Sequence, residues 1–412
     1  MAMRADIIIV GAGMVGSSLA LALKDSGLDV VLLDGGSLTV PPFDPQSAFA
    51  PRVSALSIAS QNVLENLGAW PGVLARRASP YREMQVWDGS GTGSIHFSAS
   101  DAHAEVLGHI AENQIVQDAL LEQLQHSSIA LLAHSQLSQL RRSGSDWLLS
   151  MADGSSLRTR LLIAADGANS SVRRLTGTAT REWDYKHHAV VTSVICERPH
   201  QHTCWQRFTD EGPLALLPLQ HADGRNWCSL VWSLPPERAQ QVLALEDEQF
   251  CQQLGEAFEQ RLGKITYADP RFSIPLRQRH AKRYIEQGLA FVGDAAHVIH
   301  PLAGQGVNLG FLDVASLADV VLKAIERGED YASVQVLSRF ERQRMPHNLA
   351  MMAAMQGFQN LFQSDNLSLR LLRNLGLKTV DGMPQAKIAF IRQALGLGMQ
   401  LPPLAQTPTP LN

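Results

Sequence analysis

The sequence predicts an α/β protein. A mostly parallel sheet covered by helices is interrupted in the chain by a mostly antiparallel sheet and followed by further helices. Three observations predict it. Ile7-Ile8-Ile9-Val10 is apolar on both faces, as a buried parallel strand is, and leads through a glycine turn into a helical stretch and a second apolar strand, Val30-Val31-Leu32-Leu33. Another apolar strand of this kind, Leu289-Ala290-Phe291-Val292, returns only late in the chain. Between them, from Val190 to Leu234, short β-like runs rich in tryptophan alternate with turns.

Taken in order, the N-terminus is no secretory leader: its basic start is followed by too short an apolar stretch, and Asp6 fits poorly. The first strand ends in Gly11-Ala12-Gly13-Met14-Val15-Gly16. Gly11 permits the tight turn, Gly13 lets a pyrophosphate approach the backbone, and Gly16 lets the helix pack on the strands. The helix N-terminus offers unpaired N–H groups to phosphate oxygens. Asp34 closes the second strand 18 residues past Gly16, where an acid binds ribose hydroxyls and repels a 2′-phosphate. Strand, turn, helix, strand and acid together form the dinucleotide fingerprint of a Rossmann-type unit.

Residues 35–50, rich in Pro, Gly and Ser, read as a loop before Arg52-Val53-Ser54-Ala55-Leu56 and a helical pattern to about Leu67. Val86-Trp87 and Ile95-His96-Phe97 read as strands around a glycine turn, Asn113 to Gln125 as a helix, and Leu148 to Leu162 as a hairpin about Asp153-Gly154. Glu246 to Leu262 is helical, as is most of the chain from Phe311 onward. The expected division is a discontinuous nucleotide domain over residues 1–75, 100–182 and 282–345 and an inserted substrate sheet over 76–99 and 183–281. A helical region over 346–400 and a Pro-rich tail over 401–412 follow.

A formal net charge of -4 argues against a nucleic-acid partner held by a general basic field. Cys196, Cys204, Cys228 and Cys251 form no C-x-x-C, which excludes zinc ribbons and disulfide scaffolds and suits reduced thiols in the cytoplasm. His297 and His300 lack the spacing and acidic third ligand of a metal site, so no metal is expected. No apolar run is long enough to span a bilayer. Met345, Met351, Met352 and Met355 gather with Phe358, Leu361, Phe362, Leu371 and Leu372 near the C-terminus. They fit either helices packed on the nucleotide domain or a surface that meets lipid or a partner.

Two further motifs lie at strand ends. Leu161 to Ala165 runs into Asp166-Gly167 and a helix start, and Phe291-Val292 runs into Gly293-Asp294-Ala295-Ala296-His297. The second continues as His300-Pro301-Leu302-Ala303-Gly304-Gln305-Gly306-Val307-Asn308-Leu309-Gly310, whose glycines expose amides at the start of a helix, a place for negative charge. This run follows a His-Pro loop rather than a strand, so it is not a second Rossmann site.

The three motifs in this order resemble the FAD-dependent aromatic hydroxylases, the family of para-hydroxybenzoate hydroxylase. Arg52 to Leu56, Trp183-Asp184-Tyr185 and Gly293 to Asn308 look like its ubiquinone-biosynthesis hydroxylases. Arg76-Arg77-Ala78-Ser79, Met84 to Asp88 and Leu107 to Ile110 look most like the branch acting at ring carbon 5 of 2-octaprenylphenol. The resemblance implies a para-hydroxybenzoate hydroxylase-like fold, with Gly11, Gly13, Gly16 and Asp34 holding the ADP half of FAD. It puts Asp294 by the ribityl chain and pyrophosphate, Arg52 and Gln114 along the cofactor, and Asp166-Gly167 near both FAD and a nicotinamide donor. Gly293 would complete that strand-end turn, Pro301 would lie beside the isoalloxazine, and the amides from Gly304 through Gly306 and Val307 to Asn308 would face its N1–C2 edge.

The implied chemistry is hydroxylation of a polyprenylphenol by dioxygen through a C4a-hydroperoxyflavin, with NAD(P)H as electron donor lacking a Rossmann site of its own. The protein's tasks are positioning, water exclusion and help with phenol deprotonation. Candidates for that last role are Tyr185, His187, His188, His297 and His300, with His300 first for its place beside Pro301. The implied surroundings are a ubiquinone-biosynthesis complex or lipid carrier, peripheral contact with the inner membrane, and a homo-oligomer. A flavin-dependent reductase of isoprenoid double bonds and a flavin-bound non-catalytic subunit are the alternatives.

Overall fold

Ile7, Ile8 and Ile9 are fully buried because their strand lies between two parallel neighbours in the middle of the first sheet and packs into the main core. The computed structural model describes residues 3–89, 91–299, 306–363, 388, 391–392, 395–398 and 400–408. In the first sheet the strand Met3–Val10 pairs in parallel with Val30–Leu33 on one side and Ser156–Ala164 on the other. Ala130–Leu132 extends the first side, and Leu289–Phe291 extends the second in parallel. The hairpin Asp146–Met151 with Ser156–Ala164 turns at Asp153-Gly154, where Gly154 takes a φ of +87°. Helices Met14–Ala22, Asn113–Gln125 and Gly306–Glu326 contribute to the core of this sheet. The strand ends that carry Gly11, Ala165 and Val292 therefore lie side by side at one edge, the position where open α/β sheets bind ligands.

Among the described residues the second sheet has nine strands, built around Thr180–Cys196, which pairs antiparallel with both Trp227–Leu234 and Phe272–Ala281. Alternation sorts its side chains. Val190, Val194, Leu214, Leu216, Leu230 and Trp232 pack with Val242, Phe250 and Leu254 of helices Pro236–Leu243 and Asp247–Ala257. On the opposite face, Ala189 and Val191 lie with Tyr185 and Leu276. Ile195 and Leu217 of that face join Phe49, Ala55 and Ile110, tying the sheet to a small third one of Val53–Leu56, Gly108–Glu112 and Ser79–Tyr81.

Several elements depart from the sequence expectations. Thr180–Cys196 is one 17-residue strand that begins before residue 183, and His297–Val298 joins the inserted sheet although it lies past residue 282. Ser79–Tyr81 pairs with Gly108–Glu112 rather than with the inserted sheet. The helix Val334–Gln363 runs unbroken through residues 345 and 346. Backbone pairing, which composition does not report, decides each case. The helix expected to reach Leu262 stops at Ala257, before Glu259 and Gln260 take positive φ. Among the described residues no helix is long and apolar enough to cross a membrane.

Candidate active site

The glycine turn is explained by what a side chain would strike. A Cβ on Gly16 would lie 1.8 Å from the Gly11 carbonyl oxygen, and one on Gly11 would lie 2.5 Å from the Ala165 oxygen. A Cβ on Gly13 would meet nothing within 4 Å. Gly11 and Gly16 thus close the turn on itself, and Gly13 keeps its outer side open for a ligand. Asp34 braces the turn: Oδ2 accepts from the Ala12 N–H at 2.8 Å and Oδ1 from the Gly36 N–H at 2.7 Å. Gln117 donates to the Ala12 carbonyl from the other side, at 3.0 Å.

Beside it, Asp166 caps the helix Ser171–Thr176. Its Oδ2 accepts from the Ser171 N–H and hydroxyl and from the Val172 N–H, and Gly167 turns the chain at a φ of +75°. Asp166 Oδ1 is buried with no hydrogen-bond partner among the described residues. Arg173, 7 % exposed, ties this turn to the next, donating to the carbonyls of Ala168 and Ala295 at 2.5 and 2.7 Å.

The Gly293-Asp294 turn bends at Gly293, with a φ of +56°. The missing side chains of Gly293 and Gly310 let Val15 pack against both; a Cβ on Gly310 would come within 2.6 Å of Val15. Asp313, fully buried on the helix Gly306–Glu326, accepts at Oδ2 from the Gly293 N–H at 3.1 Å and shares 2.5 Å with His297 Nε2. Its Oδ1 accepts from Arg344 at 2.8 Å and Asn348 at 3.2 Å. Against the desolvation of complete burial, His297 and Arg344 hold its carboxyl well below the usual carboxylate range. Asp294 is the opposite case. Burial raises its pKa, opposed by the charges of His297, Arg52 and Arg173, and its side chain makes no hydrogen bond among the described residues.

Arg52 is exposed, at the end of a loop pinned from behind. Arg77 pairs with Glu112 at 3.0 Å, stacks 4.3 Å from the Phe49 ring centroid and donates to Ser47 O, while Glu112 accepts from the Ala50 N–H. Gln114 is exposed, with its amide turned back on Asp118 at 2.7 Å. Gln117, three residues on, is the residue of this helix that reaches the glycine turn. Gly306 and Val307 open the helix half-buried, and the Asn308 side chain turns to Ala55 O, the Ser57 N–H and the Ser60 hydroxyl. His300, Pro301 and Gly304 lie outside the described residues, as do Leu371 and Leu372.

Of the acid–base candidates, His297 is committed to Asp313. Tyr185 sits at a bulge in its strand, with its hydroxyl on Gln278 Oε1, and burial raises its pKa to about 12. His187 and His188 bond Ser233 and Ser273 through Nδ1 at 3.1 and 2.9 Å, and burial lowers the His187 pKa. Arg173, Gln117, Asp313, Arg344 and Asn348 were not singled out from sequence. The one available signal was Asp313, a lone acid in the apolar run Leu309–Leu317, which demands a buried partner.

Three strand-end turns, an open glycine and two carboxylates with unclaimed oxygens suit a dinucleotide carrying a polyol. The arrangement is that of a flavoprotein monooxygenase with a para-hydroxybenzoate hydroxylase-like fold. The FAD binding domain family matches residues 4–355, and the chain belongs to that family. It is similar to 3-demethoxyubiquinol 3-hydroxylase of Escherichia coli (strain K12), 39% identical over 95% of this chain and 98% of that protein. It is also similar to the mitochondrial ubiquinone biosynthesis monooxygenase COQ6 of Xenopus tropicalis, 37% identical over 93% and 91% of the two chains. Among solved structures, p-nitrophenol 4-monooxygenase from Pseudomonas putida shares the fold, with a TM-score of 0.76 at 19% identity over 97% of this chain and 99% of that one.

Proposed function

We propose that this FAD-dependent monooxygenase hydroxylates the aromatic ring of a polyprenylphenol in ubiquinone biosynthesis, at ring carbon 5. The observation that carries the ubiquinone-biosynthesis reading is end-to-end similarity, at 39% identity, to a hydroxylase named for a ubiquinol ring, while the choice of carbon 5 rests on the resemblance carried by Arg76 to Ser79, Met84 to Asp88 and Leu107 to Ile110. When bound, FAD supplies the activation of dioxygen and the transfer of one oxygen atom to the ring. The chain's own residues do the rest. The amides of the Gly11–Gly16 turn hold the pyrophosphate and Asp34 the ribose. Asp294 binds hydroxyls of the ribityl chain, with Arg52 and Arg173 balancing its charge. Asp166-Gly167 lines the cofactor's other side, and the amides of Gly304, Gly306, Val307 and Asn308 stabilise negative charge at the flavin edge with the dipole of their helix.

Tyr185 stays protonated at neutral pH, so it acts as a hydrogen-bond donor rather than a base. The base we propose is His300, beside Pro301. His300→Gln should slow single-turnover hydroxylation and remove its acid limb; an unchanged pH profile would count against the assignment. NAD(P)H is the proposed reductant. The C-terminal segment with Leu371 and Leu372 is the proposed contact with membrane, lipid carrier or complex.

The test is mass spectrometry of quinone intermediates in cells lacking the protein. Accumulation of a polyprenylphenol without oxygen at carbon 5 is expected. A second reading, favoured by the name of the Escherichia coli relative, is hydroxylation at position 3, and accumulation of a demethoxyubiquinol would select it.

A further inference from the structure

We propose that Arg344 is a positioning residue for the flavin: through Asp313 it sets the Gly293-Asp294 turn, and so couples the docking of the helix Val334–Gln363 to retention of the cofactor. This rests on the reading above that the turn holds FAD. Arg344 does not touch the turn. Its guanidinium donates to Asp313 Oδ1 at 2.8 Å, to Leu309 O at 3.3 Å and to Asn348 Oδ1 at 2.8 Å, and lies 3.2 Å from His347 Nδ1. It therefore spans both long helices from a position only 2 % exposed. The Nε bond to Oδ1, with Asn348 on the same oxygen, anchors one end of the Asp313 carboxylate while the rest of the guanidinium holds Leu309 O and Asn348, and that anchor keeps Oδ2 where it meets the Gly293 N–H and His297 together.

A pure helix clamp in this place would need no charge, since buried ion pairs are weak evidence for stability. What the ionic cluster adds is direction. Two hydrogen bonds lead from Arg344 to the amide immediately before Asp294, whose carboxylate makes no hydrogen bond among the described residues. The same helix carries Met352 against Ile299 and Leu309, which bracket residues 300–305. One helix thus bears on the strand-end turn through Arg344 and on Ile299 and Leu309 through Met352.

The test uses the full-length holoprotein. FAD affinity is read from flavin fluorescence on dilution, the flavin absorption band gives the environment of the ring, and melting of the apoprotein gives stability. Arg344→Gln is expected to weaken FAD by about tenfold or more and shift the band, with Arg344→Lys intermediate because it keeps the charge and loses the fork. Val242→Ala, buried on the far face of the inserted sheet, should melt earlier with unchanged FAD affinity. The proposal is overturned if Arg344→Gln binds FAD as wild type does, or if FAD loss merely tracks melting temperature across both variants. Should Arg344→Gln not fold, Asn348→Ala carries the same criteria with about threefold weakening expected. Asp294→Asn, measured alongside, separates the two ideas. If it retains FAD, the turn is not the cofactor site; if it alone loses FAD, the turn stands and the positioning role falls.

Discussion

Asp294 and Asp313 stand 19 residues apart, on the two sides of one turn, and are driven in opposite directions. Asp313 is filled: four donors from three elements leave it nothing to offer a ligand. Asp294 is raised by burial and has no hydrogen bond among the described residues. The difference teaches how to tell architecture from function among enclosed acids. A saturated carboxylate holds the fold together, and one with no hydrogen bond among the described residues is the candidate for a ligand.

The comparison breaks most sharply at Asp313. Asp313→Ala leaves Arg344 and His297 buried without their counter-charge and should cost about 3–5 kcal/mol of folding free energy, measured by denaturant titration of the apoprotein. A loss under about 1 kcal/mol would place Asp313 among ordinary polar residues. Asp294→Asn should do the reverse. It removes a carboxylate whose desolvation outweighs the opposing charges of His297, Arg52 and Arg173, so the apoprotein at neutral pH should be as stable as wild type or more so, while FAD binding weakens by about tenfold, roughly 1.4 kcal/mol. Equal destabilisation by the two substitutions would erase the distinction.

Proton linkage sharpens it further. The folded pKa of Asp294 is raised, so its contribution to apoprotein stability is present below the ordinary aspartate range and is lost as pH rises through the raised value. That of Asp313 is depressed, so its contribution is present above the ordinary range and is lost as pH falls through the folded value. Melting curves across pH should flatten on the neutral side in Asp294→Asn and on the acid side in Asp313→Asn. The smallest effect is expected at Gln117. Gln117→Ala removes one brace from a turn also held by Asp34, and should weaken FAD by about threefold, near 0.7 kcal/mol.

Much of the glycine turn proposed to hold the cofactor is legible in sequence because it is written in local stereochemistry. Gly11 and Gly16 are glycine because their own turn leaves no room for a Cβ, and Asp34 follows at the end of the next strand. The strands ending at Val10, Leu33 and Phe291 are legible as short runs without a polar face. Gln114 was expected along the cofactor, yet its amide folds onto Asp118 while Gln117 reaches the turn. Helical phase, set by how Asn113–Gln125 rolls on its sheet, decides which of the two glutamines faces inward. His297 is an acid–base candidate in sequence because histidine titrates near neutrality; its burial against Asp313 is visible only in the tertiary structure.

The sequence by itself determined the parallel strands, the glycine turn and the acid that closes the second strand, since each depends on the steric demands of neighbours within a few residues or one supersecondary unit. The tertiary structure alone decided that Arg173 bridges carbonyls at Ala168 and Ala295, and that Arg344 reaches Asp313 from another helix. Those bonds span as many as 122 residues of chain, and which donor meets which acceptor over that distance is settled by how sheets and helices pack. The same packing filled Asp313 and, among the described residues, gave Asp294 no hydrogen bond, although the sequence offers two equivalent aspartates.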